Sequence, residues 1–279
     1  MRAEVIPESL VVRIPGAALM NGDAAMLARV KSVVAAGKVV LAEGLISRET
    51  ADQLRREAVA FARTAAPVRR TNYSRGCADI LHHDENGFRL RQWLAALRAG
   101  VKPRYRKIVS HKFLPWNAYG AAIQSTAAAM IHLRNALYGV DPDFTLKPGG
   151  EYFTVLQVQK YEKGGGFLGK HSDAEFHLRQ GLSTALELIL LLSTKHEDYE
   201  QGGLFIETGG RTYLVDDVAK PGDVVIYDVK HPHGCAPVDP GEQPDPEGWR
   251  GRWVMLTPPY SAKKYLDDAR AGAVQGAAA

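Results

Sequence analysis

The sequence predicts an α+β protein with a β-sandwich or jelly-roll core, and two contrasts in its texture predict it. Up to about residue 140, the clearest patterns repeat at helical spacing. After Asp141-Pro142 the chain breaks into short apolar runs separated by Gly, Pro and Asp turns. Helices first and strands afterwards is the α+β order.

Leu10–Ile14 and Lys38–Leu41 read as short strands. Ser47 is placed to cap a helix, with Glu49 in the first turn, where the helix dipole favours a negative charge. Ala51, Leu54, Ala58 and Phe61 form its apolar face, and Pro67 ends it. Residues 68–117 are basic, aromatic and irregular, and read as loop around one short helix over Arg89–Ala99. Long loops of this kind are often lids or binding loops. A second strong helix runs from about Ala118 to Tyr138 and closes at Gly139. Strands are expected over Tyr152–Tyr161, Leu182–Ser193, Gly203–Glu207, Arg211–Val215, Asp223–Val229 and Arg252–Leu256. These readings divide the chain into a helical and lid-bearing region (1–149), a β-core (150–260) and a tail (261–279) whose small residues read as disordered.

Composition limits the function. The 279 residues suit one large domain or two modest ones, and 46% apolar with 24% charged residues is ordinary for a soluble globular protein. No apolar run approaches the ~20 residues of a membrane span. Early charges at Arg2, Glu4 and Glu8 interrupt any signal-like apolar stretch, and Cys77 and Cys235 make no disulfide framework, so a cytoplasmic location is expected. A net charge of +4 admits an anionic co-substrate without demanding nucleic acid, and the basic stretch 102–107 has too few aromatics for a stacking platform.

The stretch Tyr161-Glu-Lys-Gly-Gly-Gly-Phe-Leu-Gly-Lys-His171-Ser-Asp173 carries the chemistry. In an extended segment residues i and i+2 face the same way, so His171 and Asp173 can share one ion. A third ligand is sought in His231-Pro-His233, where both histidines have the same parity. Two imidazoles and one carboxylate with open positions suit non-haem Fe(II) that activates oxygen, whereas a structural zinc site would be closed by four ligands and favour cysteine. Gln157, Gln159 and Tyr161 share one strand face, an odd polar surface for a core and a candidate for co-substrate contacts. Glu175 and His177 continue the alternation after Asp173 and read as surface or substrate-side residues rather than ligands. Cys235 reads as packing.

Residues 150–256 resemble the double-stranded β-helix core of the Fe(II)/2-oxoglutarate-dependent dioxygenases, and most closely the prolyl-hydroxylase-like branch. The likeness rests on Tyr161 through Asp173, Gly202-Gly203-Leu-Phe-Ile206, Lys220-Pro-Gly-Asp223, His233 through Val238, and Arg252 at the head of the last core strand. It implies Fe(II) on His171, Asp173 and His233. It implies 2-oxoglutarate held through its far carboxylate by Arg252, with Tyr161 and Gln159 as further contacts, and O2 as the second co-substrate. Succinate and CO2 would be released as a C–H bond is oxidised.

One departure is the long link Asp239–Gly248 between His233 and Arg252, which makes Arg250 a rival for Arg252. The resemblance favours His233 over His231 from its spacing to Pro237-Val238. Asp173 speaks against a halogenase, because halogenating relatives carry a small residue there. The substrate expected is a small molecule, an amino acid or natural-product intermediate. A protein prolyl or similar side chain is the second reading, and a catalytically silent metal-binding sensor or scaffold the third. No nucleic acid and no membrane is expected as a partner.

Overall fold

The structure, a computed structural model, describes residues 3–64, 67–68, 80–84, 106–116, 120–147, 150–179, 181–182, 186–245 and 248–262. Strands β1 (Glu4–Val5) and β2 (Val11–Pro15) lead into helices α1 (Gly16–Met20) and α2 (Ala24–Ala35), strand β3 (Val39–Glu43) and helix α3 (Arg48–Thr64). Strands β4 (Pro67–Val68), β5 (Ile80–Asp84) and β6 (Arg106–Phe113) follow, and then helix α4 (Ala121–Tyr138). The remainder is β7 (Tyr152–Thr154), β8 (Leu156–Glu162), β9 (Gly166–His171), helix α5 (Ala174–Arg179), β10 (Leu186–Leu191), β11 (Gly203–Thr208), β12 (Arg211–Leu214), β13 (Val224–Asp228), β14 (His233–Val238), β15 (Gly251–Leu256) and β16 (Pro259–Ser261).

Local chemistry explains the helices. Asp23 accepts from the backbone of Ala25 (2.8 Å) and Met26 (3.2 Å) at the start of α2. Ser47 Oγ accepts from Thr50 N at 3.1 Å, as its cap position predicts. Helix α4 is capped from another helix: the Glu57 carboxylate on α3 accepts from Ala122 N (3.2 Å) and Ile123 N (2.9 Å). Its far end closes at Gly139 in the left-handed region (φ 70°), with the Gly139 and Val140 amides turned back onto Ala136 and Asn135.

Fourteen strands form one curled sheet whose main path runs β1-β12-β11-β14-β9-β6-β8-β15-β10-β13-β3-β2, with β5 joined to β6 and β4 to β5. β6 makes the corner, with Val109–Phe113 paired to β8 and Arg106 and Lys107 paired to β9. The two halves face each other as a jelly roll, so the fold is the expected α+β double-stranded β-helix with flanking helices. Strand alternation sorts two cores. Leu188, Leu190, Val224, Ile226, Trp253 and Met255 point outward to pack beneath α3 and α4 against Leu54, Ala58 and Met130. Their neighbours Ile189, Leu191, Val225 and Val254 point inward to meet Leu204, Ile206 and Cys235 of the facing half.

Several expectations need correction. The segment read as one strand over Tyr152–Tyr161 is two, broken at Val155, and β7 leaves the main sheet to pair with β16. Within 68–117, read as mostly loop, residues 80–84 and 106–113 are strands of the main sheet. The expected helix Arg89–Ala99 lies outside the described residues, as do Cys77 and the end of the tail. Helix α2 and strands β9 and β14 were not expected. Glu175 and His177 do not continue an alternation, because they sit on α5.

Candidate active site

The jelly roll brings His171 and His233 together by strand register. β9 and β14 are antiparallel, and His233 lies directly opposite His171, with ring centroids 4.3 Å apart. Asp173 lies just past the end of β9, so it is placed by a turn rather than by extended alternation: its amide donates to Val229 O at 3.1 Å, and Ser172 Oγ donates to the same carbonyl at 2.9 Å. Asp173 Oδ2 then stands 3.5 Å from His171 Nε2 and 3.4 Å from His233 Nε2.

Both imidazoles are oriented from behind. His171 Nδ1 is 2.8 Å from Gly169 O, and His233 Nδ1 is 3.0 Å from His231 O. A carbonyl only accepts, so each Nδ1 carries a proton, and each Nε2 faces Asp173, where it can hold a proton against the carboxylate or turn a lone pair to a metal ion. Burial alone would raise the Asp173 carboxyl, but hydrogen bonds from His171 and His233 outweigh it and hold it well below the usual carboxylate range. For His233, burial opposes the charged ring, yet the Asp173 carboxylate prevails and raises it. One ligand atom from each of the three residues falls within 4.8 Å of the others, a group that can hold a metal ion. His231 is not in the group; its Nδ1 faces Glu207 O at 3.2 Å.

The group opens on a cavity of about 190 Å³ between the two halves of the sheet. As bounded by the described residues this is below the ~300–1,000 Å³ of sites for drug-sized ligands, and suits something small. Arg252 and Tyr161 mark one end, opposite each other in the β15–β8 register, with the guanidinium 5.4 Å from the Tyr161 ring centroid. Arg250 is exposed and does not line the cavity. A polar ladder runs along β8: Tyr161 OH donates to Gln159 Oε1 (3.0 Å), Gln159 Nε2 to Gln157 Oε1 (2.9 Å), and Gln157 Nε2 to Tyr260 OH (3.1 Å). Phe176, His177, Glu187 and Pro258 line the cavity toward its other end.

Arg252 does not stand alone. Its Nε lies 2.5 Å and its Nη2 3.2 Å from the carboxylate of Asp216, which also accepts from Tyr199 OH (2.6 Å) and Leu204 N (3.1 Å). Burial would raise the Asp216 carboxyl; the Arg252 guanidinium prevails and lowers it. Asp216 gave no sign in the sequence, because the partner that explains it is remote in the chain. Glu187 did leave one, as the single charge inside the apolar run Leu186–Leu192. Cys235 is a buried free thiol that burial pushes up to about 12, which fits packing rather than reactivity.

The long link before Arg252 is stapled to the outer face. Lys160 Nζ donates to Asp245 O (2.7 Å) and Gly248 O (2.5 Å), and Arg55 Nη2 donates to Trp249 O at 3.1 Å. The chain therefore makes its extra excursion away from the cavity and returns Arg252 to the inner face.

The model of the 2OG-Fe(II) oxygenase superfamily matches residues 156–256. No curated protein sequence matches the chain. Among solved structures, the fold is similar to that of a Pseudomonas putida prolyl-4-hydroxylase, at 17% identity and a TM-score of 0.53, over 83% of this chain and 97% of that one. It is also similar to a Trichoplax adhaerens prolyl hydroxylase in complex with a hypoxia inducible factor oxygen degradation domain peptide fragment, at 11% identity and a TM-score of 0.52, over 90% and 93%. Residues 156–256 thus match a superfamily whose members use Fe(II), 2-oxoglutarate and O2, and the fold is similar to that of prolyl hydroxylases.

Proposed function

We propose that the chain hydroxylates a C–H bond of a small molecule, with His171, Asp173 and His233 as the iron ligands and Arg252 as the anchor of 2-oxoglutarate. The observation that carries this is the pairing, in one small cavity, of a converging His–Asp–His group with a buried guanidinium. The donor set fits the ion: two neutral imidazole nitrogens already oriented by backbone carbonyls, one carboxylate, and no thiolate among them. When bound, Fe(II) with 2-oxoglutarate and O2 supplies the oxidising power, and succinate and CO2 are the co-products.

The protein's own residues bind and position. Arg252 offers a rigid, permanently charged fork to the far carboxylate of the co-substrate. Tyr161 and Gln159 supply polar groups beside it, and Ile189, Leu204 and Val254 form a dry wall along its length. In this reading residues 150–260 are the catalytic core, and residues 1–149 cover and extend it. The size of the cavity favours a small substrate. A protein side chain is the second reading, supported by the likeness to the peptide-bound Trichoplax adhaerens structure. An intact ligand group stands against a silent scaffold.

Anaerobic addition of 2-oxoglutarate to the Fe(II)-loaded protein tests the assignment. A weak visible charge-transfer band is expected, followed by slow succinate formation when O2 is admitted. Asp173→Ala is expected to abolish both and Arg252→Ala to weaken both. No band and no succinate in folded, iron-loaded protein would refute it.

A further inference from the structure

The cavity has a second charged end. Glu187 lies on β10 with its side chain on the inward face, between the outward Leu186 and Leu188. β10 is antiparallel to β15 with Leu190 opposite Met255, and continuing that register brings Glu187 level with Pro258, beyond Leu256. Arg252, at the head of the same β15 strand, is at the opposite end. The two charges therefore stand at different ends of the cavity and do not neutralise each other.

Glu187 is poorly matched within the protein. Its side chain is 13% exposed, and among the described residues its one ion-pair partner is His177 Nε2 at 3.8 Å, beyond hydrogen-bond length. His177 is itself 3% exposed and lines the cavity, and its buried Nδ1 has no hydrogen-bond partner among the described residues. A carboxylate with unmet hydrogen-bonding capacity and an imidazole thus stand at the same end of the cavity, and a buried polar group left unmet carries a cost. Aromatic faces stand beside them. Phe176 packs edge-on to both His177 and Tyr260, with ring centroids 5.3 Å away in each case. Carboxylate plus aromatic rings is the chemistry that receives an ammonium group.

We propose that the primary substrate carries a protonated amine, held by Glu187 with His177 beside it, so that the cavity takes an anion at the Arg252 end and a cation at the Glu187 end. This rests on the oxygenase reading above and narrows its substrate to small amines, free amino acids foremost.

The test uses the full chain loaded with Fe(II) and supplied with 2-oxoglutarate. The common free L-amino acids other than Lys, Arg and His are compared with their Nα-acetyl derivatives, which lack the cation. Two readouts are taken: succinate formation in air, and the thermal midpoint of the protein under anaerobic conditions. A subset of free amino acids is expected to raise both, and their N-acetyl forms to raise neither. In Glu187→Gln, with folding checked by circular dichroism, the KM for the active amine should rise about tenfold to a hundredfold with a smaller change in kcat. Equal responses to free and acetylated forms, an unchanged KM in Glu187→Gln, stimulation by a prolyl peptide instead, or no response to any amine would overturn the proposal. The thermal readout does not need turnover. A protein that shows no charge-transfer band and no succinate, yet is still stabilised by free amines, would lose the oxygenase reading and keep the amine site.

Discussion

Replacing Asp216 with Asn should expose how the cavity is built. Asp216 is fully buried and accepts from Arg252, Tyr199 and Leu204 N. Asn keeps the shape and one oxygen acceptor but removes the charge, leaving the Arg252 guanidinium, 2% exposed, without its counter-ion. Breaking a buried pair from one side costs roughly 3–5 kcal/mol, and the retained acceptor places this variant near the lower end. Against a total stability of roughly 5–15 kcal/mol the loss is large, and urea denaturation should show a lower midpoint at unchanged slope. The double variant Asp216→Asn/Arg252→Met should lose clearly less than the sum of the singles, because the second change removes the stranded cation. The effect also has a pH signature. The carboxyl is lower in the folded chain than in the unfolded one, where it titrates near ~3.9. Its stabilisation is therefore complete above that value and fades as pH falls through the lower folded value. The gap between wild type and Asp216→Asn should narrow only below about pH 4. A cost under about 1 kcal/mol at neutral pH, or additive singles, would show that the pair does not carry this part of the fold.

Three further perturbations separate other parts. Glu57→Ala removes the cap that α3 lends to α4, and should cost about 1–2 kcal/mol in a urea titration. Gly234→Ala would put a Cβ 2.5 Å from Leu168 O and 2.7 Å from the Phe205 ring, forcing β14 away from β9 beside His233. Fe(II) affinity, read by equilibrium dialysis, should fall at least tenfold, on the order expected when groups supporting a metal site are disturbed. Burial pulls the Lys160 ammonium down to about 8, so between that value and the ~10.4 of an unfolded lysine the unfolded chain binds the extra proton. Stability should accordingly rise with pH across that window in wild type, and a thermal-melt series on Lys160→Met should lose the rise.

What the sequence disclosed depended on whether the signal was local. Ser47, Gly139 and the apolar runs of β10, β13 and β15 each act within a few residues, and their elements are found there, within a residue at the start of β13 and β15, about three at the start of α4 and four at the start of β10. β6 was missed because Arg106, Lys107 and Lys112 give it the composition of a solvated loop. It is a strand because it bridges the two halves of the sheet, with His111 and Ser110 buried against β8. β9 and β14 were hidden by their glycines: Gly166 and Gly234 lie where a side chain would collide with a neighbouring strand. A low β-propensity there marks close approach of backbones rather than the absence of a strand.

The candidate site follows the same rule with a different outcome. His171 and Asp173 stand out in the sequence because two ligands lie a residue apart, although the turn after β9, and not strand alternation, aims the second. Parity cannot choose between Arg252 and Arg250, and Arg252 is preferred in the sequence because it directly opens the apolar strand; the structure separates them by burying one and exposing the other. What Asp216, Glu187 and His177 pair with was out of reach for a physical reason, although Glu187 stood out as a charge in an apolar run and His177 read as a surface or substrate-side residue. Each is explained by a partner across the jelly roll, and a carboxylate in an apolar run or a tandem Asp pair looks the same whether it faces water or a guanidinium. The recoverable clue was Glu187 itself. A charge on the inward face of a strand otherwise packed on both sides carries a desolvation cost, which a cation placed beside it would offset.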